Sequence, residues 1–201
     1  MSSIVIAGNT SGAITIAAPA EAGLNTLTLP ASTGTVALTS DIPAPVTAVQ
    51  THLTTTSSQS NTANVRTNIS GLNATITPST TSKRIKITIR WNGEHSNSSN
   101  YNQLFGIKRD TTDVGNPAAA GSRSVGMAIF AQGFTGADAD STPDSATYTY
   151  IDSPATTSAT TYHATYLNVN SGTLYNQRTV ADSDNASYER LTSNIILEEI
   201  D

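Results

Sequence analysis

Cysteine is absent from this sequence of 201 residues, so neither disulfide bonds nor thiol chemistry can contribute to its stability or function. Charged residues are scarce as well, at 12 % of the chain, where an average soluble domain has about a quarter. The formal net charge of −5 argues against nucleic acid as a partner, because binding to nucleic acid needs a basic face.

Long apolar runs are also missing, because no stretch approaches the roughly 18 consecutive residues of a membrane span. The N-terminal sequence MSSIVIAGNTSG lacks the basic and apolar regions of a secretory signal peptide. We therefore expect a protein that is made in a cytoplasm, does not insert into a membrane, and derives its stability from the burial of apolar surface.

Uncharged polar residues take the place of the missing charge. Threonine, serine and asparagine together make up more than a third of the chain. Threonine favours strands, whereas serine and asparagine favour turns and caps. Residues that favour helices are few by comparison, so the composition predicts an all-β fold.

The N-terminal region 1–43 contains four short segments in which apolar and polar residues alternate, as in strands with one buried face. Each segment offers only two large apolar side chains, and together these are Ile4, Ile6, Ile14, Ile16, Leu27, Leu29, Val36 and Leu38. Isolated hairpins of this size are marginal in water, so another copy of the chain or a different protein must cover them. Three identical strips can close around one axis. We therefore expect region 1–43 to attach and trimerise the protein through these residues.

The rest of the chain is predicted to comprise a connector, 44–64, and a larger domain, 65–201. The prolines of SDIPAP disfavour regular structure, and the Thr-rich stretch after them favours a strand over a short helix. Beyond residue 65, about eight to ten alternating segments follow one another between turn-rich loops. The clearest is SKRIKITIRWNG, in which Ile85, Ile87, Ile89 and Trp91 alternate with Arg84, Lys86, Thr88 and Arg90. This pattern predicts a β-sandwich or jelly-roll-like domain.

Several of these segments resemble parts of tailed-bacteriophage fibre proteins. AITIAAPAEAGLNTLTLPASTGTVALTSD, 13–41, is similar to the short repeat with which many such proteins begin. GLNATITPSTTSKRIKITI, YIDSPATTSATTYHATYLN and the closing SNIILEEI resemble the C-terminal β-domain of short phage fibres and whiskers. Residues 92–147 lie outside the resemblance. It implies a homotrimeric appendage of the virion, with the N-terminal part docked to other virion proteins and the C-terminal sandwiches projecting outward.

The leading hypothesis is accordingly a structural fibre protein of the tail or neck, located in the virion. One alternative is a carbohydrate-binding receptor module, with the loops 92–101, 110–123 and 134–145 at its tip. The candidate residues for stacking on a host-surface polysaccharide are Tyr101, Tyr148 and Tyr150, although tyrosine is also common in ordinary strands. A further alternative is a head-decorating whisker without a receptor role.

Candidates for metal binding are weak. His52, His95 and His163 lack the spacing of metal ligands, although a trimer can hold an axial ion with a single ligand from each chain. The acidic loop GADADSTPD only loosely matches a calcium loop, since its central glycine and terminal glutamate are missing, and DSDN at 182–185 matches less well. We therefore predict no metal and no cofactor.

Candidates for catalysis are equally weak. The sequence has no Gly-x-Ser-x-Gly element and no glycine-rich phosphate loop. A polysaccharide depolymerase would need two carboxylates that face each other, for which Glu94 and Asp110 are available. The abundance of serine makes any Ser-His-Asp combination uninformative, and we predict no catalytic residues and no enzymatic activity.

Overall fold

The computed structural model describes residues 3–7, 13–17, 47–96, 103–129 and 141–201. The chain divides into two compact units, Met1–Ala44 and Pro45–Asp201. In the described residues all regular secondary structure is β, in thirteen strands and without a helix. None of these residues therefore forms a helix long and apolar enough to cross a membrane. The prediction of an all-β fold is confirmed.

The first unit contains an antiparallel pair of short strands, β1 (Ser3–Ala7) and β2 (Ala13–Ala17). Their register pairs Ile4 with Ile16 and Ile6 with Ile14. The other four apolar residues of the predicted attachment region, Leu27, Leu29, Val36 and Leu38, lie outside the described residues.

The second unit contains two antiparallel sheets. The six-stranded sheet consists of β3 (Ala48–Leu53), β4 (Ser57–Asn61), β6 (Arg84–His95), β10 (Asp144–Asp152), β12 (Gly172–Asn176) and β13 (Ser193–Ile200). The five-stranded sheet consists of β5 (Thr67–Ile76), β7 (Gln103–Arg109), β8 (Thr112–Val114), β9 (Ala128–Ile129) and β11 (Thr160–Asn168). In the five-stranded sheet, β11 lies between β5 and β7, whose outer edge carries β8 and β9.

Strand β6 organises the six-stranded sheet. One of its edges pairs with β10, and the opposite edge is shared by β13, along residues 84–90, and β12, along residues 93–95. Strand β3 extends the sheet beyond β13, and β4 extends it beyond β12. The predicted alternation in β6 is confirmed, because Ile85, Ile87, Ile89 and Trp91 are completely buried.

The hydrophobic core lies between the two sheets. The ring of Trp91 on β6 lies 4.9 Å, centroid to centroid, from that of Phe105 on β7. Phe105 in turn contacts Tyr166 on β11 at 5.4 Å and Tyr148 on β10 at 6.4 Å. Aromatic side chains of both sheets therefore form one cluster, and the larger unit is β-sandwich-like.

The segment 44–64, for which the sequence predicts a connector, carries β3 and β4. Strand β3 pairs with β13, and β4 pairs with β12. Val49 and Leu53 of β3 pack against the core. These two strands are therefore part of the larger unit, which begins at Pro45.

Candidate functional site

A loop of residues 178–190 leaves the six-stranded sheet after β12 and returns just before β13. The buried residue Gln177 fixes its starting point in a left-handed conformation with φ of 60°. The Gln177 amide donates to the Asn92 carbonyl at 2.9 Å, and its own carbonyl accepts from the Leu191 amide at 2.9 Å. Arg178 and Arg190 form a β-bridge that closes the base of the loop. Compact surface loops with adjacent ends often carry function.

A buried carboxylate on β6 anchors this loop from below. Glu94 is completely buried, and its Oε2 accepts a hydrogen bond from the Val180 amide at 2.6 Å. Its Oε1 accepts from the Thr142 amide at 3.1 Å, which fixes a second loop. A buried carboxylate is tolerated only when such donors compensate its desolvation. The Glu94 side chain thus positions two loops at this end of the sheet.

Ion pairs hold the interior of the 178–190 loop. Arg178 Nη1 lies 3.1 Å from one carboxylate oxygen of Asp182, and Arg190 pairs with the other oxygen. The Arg178 guanidinium also lies over the ring of Tyr175, 4.6 Å from its centroid, in a cation–π contact. Since Asp182 is shared by two arginines, its charge is compensated within the loop.

The loop surrounds a polar pocket of about 280 Å³ that is open to solvent. The lining residues, here called the loop pocket, are Asp182, Ser183, Asp184, Asn185, Tyr188 and Arg190. Asn185 accepts from the amides of Ser187 and Tyr188, which shapes the turn. The lining offers hydrogen-bond donors, acceptors and one aromatic ring, so it is suited to a small polar ligand without strong negative charge.

Of the three tyrosines that the sequence suggested for sugar binding, the two described ones, Tyr148 and Tyr150, lie two positions apart on β10 and both pack into the core. Tyr148 is 7 % exposed, and its hydroxyl donates to the Gly106 carbonyl at 3.0 Å. Its ring therefore has no face open to a sugar. Tyr150 is half-buried and packs against the core, and Tyr101 lies outside the described residues.

The suggested catalytic carboxylates serve separate hydrogen-bond networks. Asp110 lies in the turn after β7 and accepts from the Thr161 amide at 3.0 Å, whereas Glu94 binds the two loop amides. Within the described residues, no group of three or more histidine, aspartate or glutamate side chains is arranged to hold a metal ion.

The remaining metal candidates are dispersed over the fold. His52 is exposed on β3, His163 is half-buried on β11, and His95 is completely buried on β6. Asp138 and Asp140 of the acidic loop lie outside the described residues, and Asp144 begins β10. Of the loop-pocket residues, the sequence indicates only the segment DSDN, at 182–185, and only as a poor match to a calcium loop. Nothing in the local sequence links Tyr188 and Arg190 to that segment, so sequence reasoning does not find them.

Comparison with models of known protein families finds no family that matches this chain, and comparison with curated proteins finds no significant relative. A functional assignment therefore has to rest on the residues and the geometry of the chain itself.

Proposed function

We propose that this chain is a structural fibre protein of a bacteriophage virion, a homotrimer without enzymatic activity. The N-terminal region docks to the particle, and the β-sandwich-like unit projects outward. The resemblance of residues 13–41, 71–89 and 150–168 to phage fibres supports this role. Many identical tips on one particle would gain avidity from simultaneous contacts with a surface.

The observation that carries the proposal is the contrast between the two units. The larger unit has a core of eighteen buried apolar residues in the described part of the chain. The described part of the smaller unit is the β1–β2 pair, two strands of five residues each, with isoleucines opposite one another in the ladder. Because a two-stranded ribbon is marginally stable on its own, the isoleucine positions favour burial against further copies or another virion protein.

Native mass spectrometry of the full chain at micromolar concentration tests the assembly. We expect a trimer of about 63 kDa, three times the 20.9 kDa of one chain. Changing Ile4, Ile6, Ile14 and Ile16 to serine should abolish incorporation into the particle and weaken the trimer, because these changes remove its buried contacts. The matched control changes Val5 and Thr15, which pair with each other in the same ladder, to serine and should keep both properties.

A stable monomer at this concentration would contradict the trimer, and full incorporation of the isoleucine variant would contradict the docking residues. Cryo-EM of the intact particle addresses the location directly. Density for the chain on the tail or neck is expected, and density only on the head would favour the whisker alternative. Absence of the chain from purified particles would overturn the virion assignment itself.

The loop pocket favours one second candidate function, the binding of a host-surface saccharide. Ser183 and Asp184 are exposed and line the pocket, so that their polar groups are accessible to a ligand. Together with the Tyr188 ring they would suit vicinal hydroxyls and an apolar sugar face.

A glycan array tests this second function. Changing Tyr188 and Asp184 to alanine should weaken saccharide binding at least about tenfold, since each tenfold loss corresponds to about 1.4 kcal/mol. The control Glu189→Gln lies in the same loop but not in the pocket lining, and it should bind like the wild type. An array without any signal, or equal binding by the Tyr188 and Asp184 variant, would remove this candidate.

A further inference from the structure

His95 lies at the end of β6 in a completely buried polar cluster. Its Nδ1 lies 2.8 Å from the Ser96 carbonyl oxygen. A carbonyl can only accept, so Nδ1 carries the proton, and Nε2 of the neutral ring must act as an acceptor. The Tyr166 ring lies 5.7 Å away, centroid to centroid, and covers the imidazole from the five-stranded sheet.

Two amide side chains face Nε2, one as an acceptor and the other as a donor. Asn61 Oδ1 of β4 lies 3.3 Å from Nε2, and Asn168 Nδ2 of β11 lies 3.4 Å from it. Both distances are long for hydrogen bonds, as expected where one nitrogen is shared between opposite partners.

The orientation of both amides is fixed by other contacts. Asn61 Nδ2 donates to the Asn170 carbonyl at 3.0 Å, so its Oδ1 must face the histidine. Asn168 Oδ1 accepts from the Asn170 amide at 2.8 Å, and its Nδ2 also donates to the Tyr166 hydroxyl at 3.1 Å. Neither amide can flip without breaking these bonds, so Nε2 faces a fixed acceptor and a fixed donor.

We propose that His95 is a proton-operated latch between the two sheets. The neutral ring accepts from Asn168 and so ties β6 to β11 of the opposite sheet. The protonated ring donates to Asn61 of its own sheet and releases Asn168. Asn168 Oδ1 also accepts from the Asn170 amide, and the main-chain carbonyl of Asn168 accepts from the Asn64 amide. Acidification therefore loosens the turn that follows β11. This latch is independent of the fibre function.

Among the described residues around His95, little charge opposes the proton or attracts it. Of their titratable groups, Tyr166 contacts the ring, and the adjacent Glu94 directs its carboxylate to the amides of Thr142 and Val180. Of the other titratable groups on the packed strands, Tyr162 donates to Asp152, and Tyr175 lies beneath Arg178. His163 lies five positions before Asn168 on β11, opposite Lys108 and Asn73 of the neighbouring strands.

Burial lowers the pKa of His95 below its ordinary value of 6.5, and the hydrogen bond to Ser96 opposes this in part. At pH values between the pKa of His95 in the folded chain and its pKa in the unfolded chain, the unfolded chain binds more protons than the folded chain. The contribution of His95 to stability is therefore complete above pH 6.5 and is lost as the pH falls through the folded pKa.

Ring-nitrogen NMR of the ¹⁵N-labelled full chain, titrated from neutral to acid pH, tests the latch. The chain has three histidines, so His52→Gln and His163→Gln assign the His95 signals. We expect the Nδ1–H tautomer at neutral pH. Asn61→Ala removes the acceptor of the protonated ring and should lower the pKa of His95 by about half to one pH unit. Asn168→Ala removes the donor to the neutral ring and should raise the pKa by a similar amount.

The opposite signs distinguish a latch from a structural role, because a loosened and wetter pocket would raise the pKa in both variants. Shifts in the same direction, or an Nε2–H tautomer in the neutral wild type, would overturn the proposal. If an alanine variant fails to fold, the isosteric Asn61→Asp places a charge beside Nε2 and should raise the pKa by about 1 pH unit or more.

In the wild type, hydrogen-exchange protection at Asn64 and Asn170 should fall upon protonation of His95, while the β6–β10 ladder keeps its protection. Unchanged protection at both amides would also contradict the latch.

Discussion

Replacing Trp91 with alanine should lower the free energy of unfolding by about 3–5 kcal/mol, the usual cost of truncating a large buried aromatic side chain. The Trp91 side chain is completely buried between the sheets and contacts the ring of Phe105. Its Nε1 also donates to Asn176 Oδ1 at 2.7 Å, so truncation leaves a buried amide oxygen without this donor. A typical domain has a total stability of about 5–15 kcal/mol, so this loss should remove a large share of the stability of the larger unit.

Urea titration followed by far-UV circular dichroism measures this loss. Trp91→Phe keeps an aromatic ring but removes the donor, so we expect an intermediate loss of about 1–3 kcal/mol. The neighbouring Arg90 is exposed on the outer face, and Arg90→Ala should change stability by less than about 0.5 kcal/mol. Equal stability of the Trp91→Ala and Arg90→Ala variants would contradict the position of Trp91. As the chain's single tryptophan, it also gives the wild type a fluorescence signal from the core.

Replacing Gly93 with alanine should destabilise the protein by about 3 kcal/mol or more, at the upper end of the range for overpacking. A Cβ atom at Gly93 would lie 2.1 Å from the Tyr175 carbonyl oxygen and 2.7 Å from Trp91 Cζ2. The first of these is a backbone atom of β12, which can move only if the pairing of Asn176 with Gly93 is broken. We therefore expect β12 to separate from β6.

Hydrogen exchange of the β12 amides, together with urea titration, measures the effect of Gly93→Ala. The control Gly121→Ala lies where a Cβ would meet nothing within 4 Å, at φ of 65°. Only the backbone penalty of about 1–2 kcal/mol applies there, and exchange in β12 should stay as in the wild type. Unchanged β12 exchange in Gly93→Ala would show that the two strands do not approach as closely as described.

The sequence was sufficient to predict the one-sided part of β6. Ile85, Ile87 and Ile89 alternate with charged or hydroxyl side chains because only one face of the sheet is covered at these positions. Beyond Trp91 every residue to His95 is buried, and alternation no longer indicates which side chains are covered. Apart from the adjacent Ser96 carbonyl, the hydrogen-bond partners described for Glu94 and His95 come from segments 34 to 86 positions away, which no local pattern can reveal.

Tyr148 shows why the predicted sugar-binding residues differ from the observed pocket. In β10, Thr147 and Thr149 are exposed, while Tyr148 is buried opposite Ile89. The alternation of threonine and tyrosine already indicates that Tyr148 faces inward. The prediction of a sugar-binding role relied instead on the general affinity of exposed aromatic rings for sugars. The loop pocket was missed for another reason, since residues 178–190 have no periodicity and are shaped by ion pairs.

The position of β13 also constrains how the protein can be made. This strand lies between β3 and β6, and it pairs Ser193 with Leu53, 140 positions earlier in the chain. Until the ribosome has passed residue 200, β3 lacks its sheet partner β13, and the edge of β6 along residues 84–90 remains open. Such long-range pairing slows folding, so the nascent chain must keep its isoleucine-rich strand from aggregating during most of its synthesis.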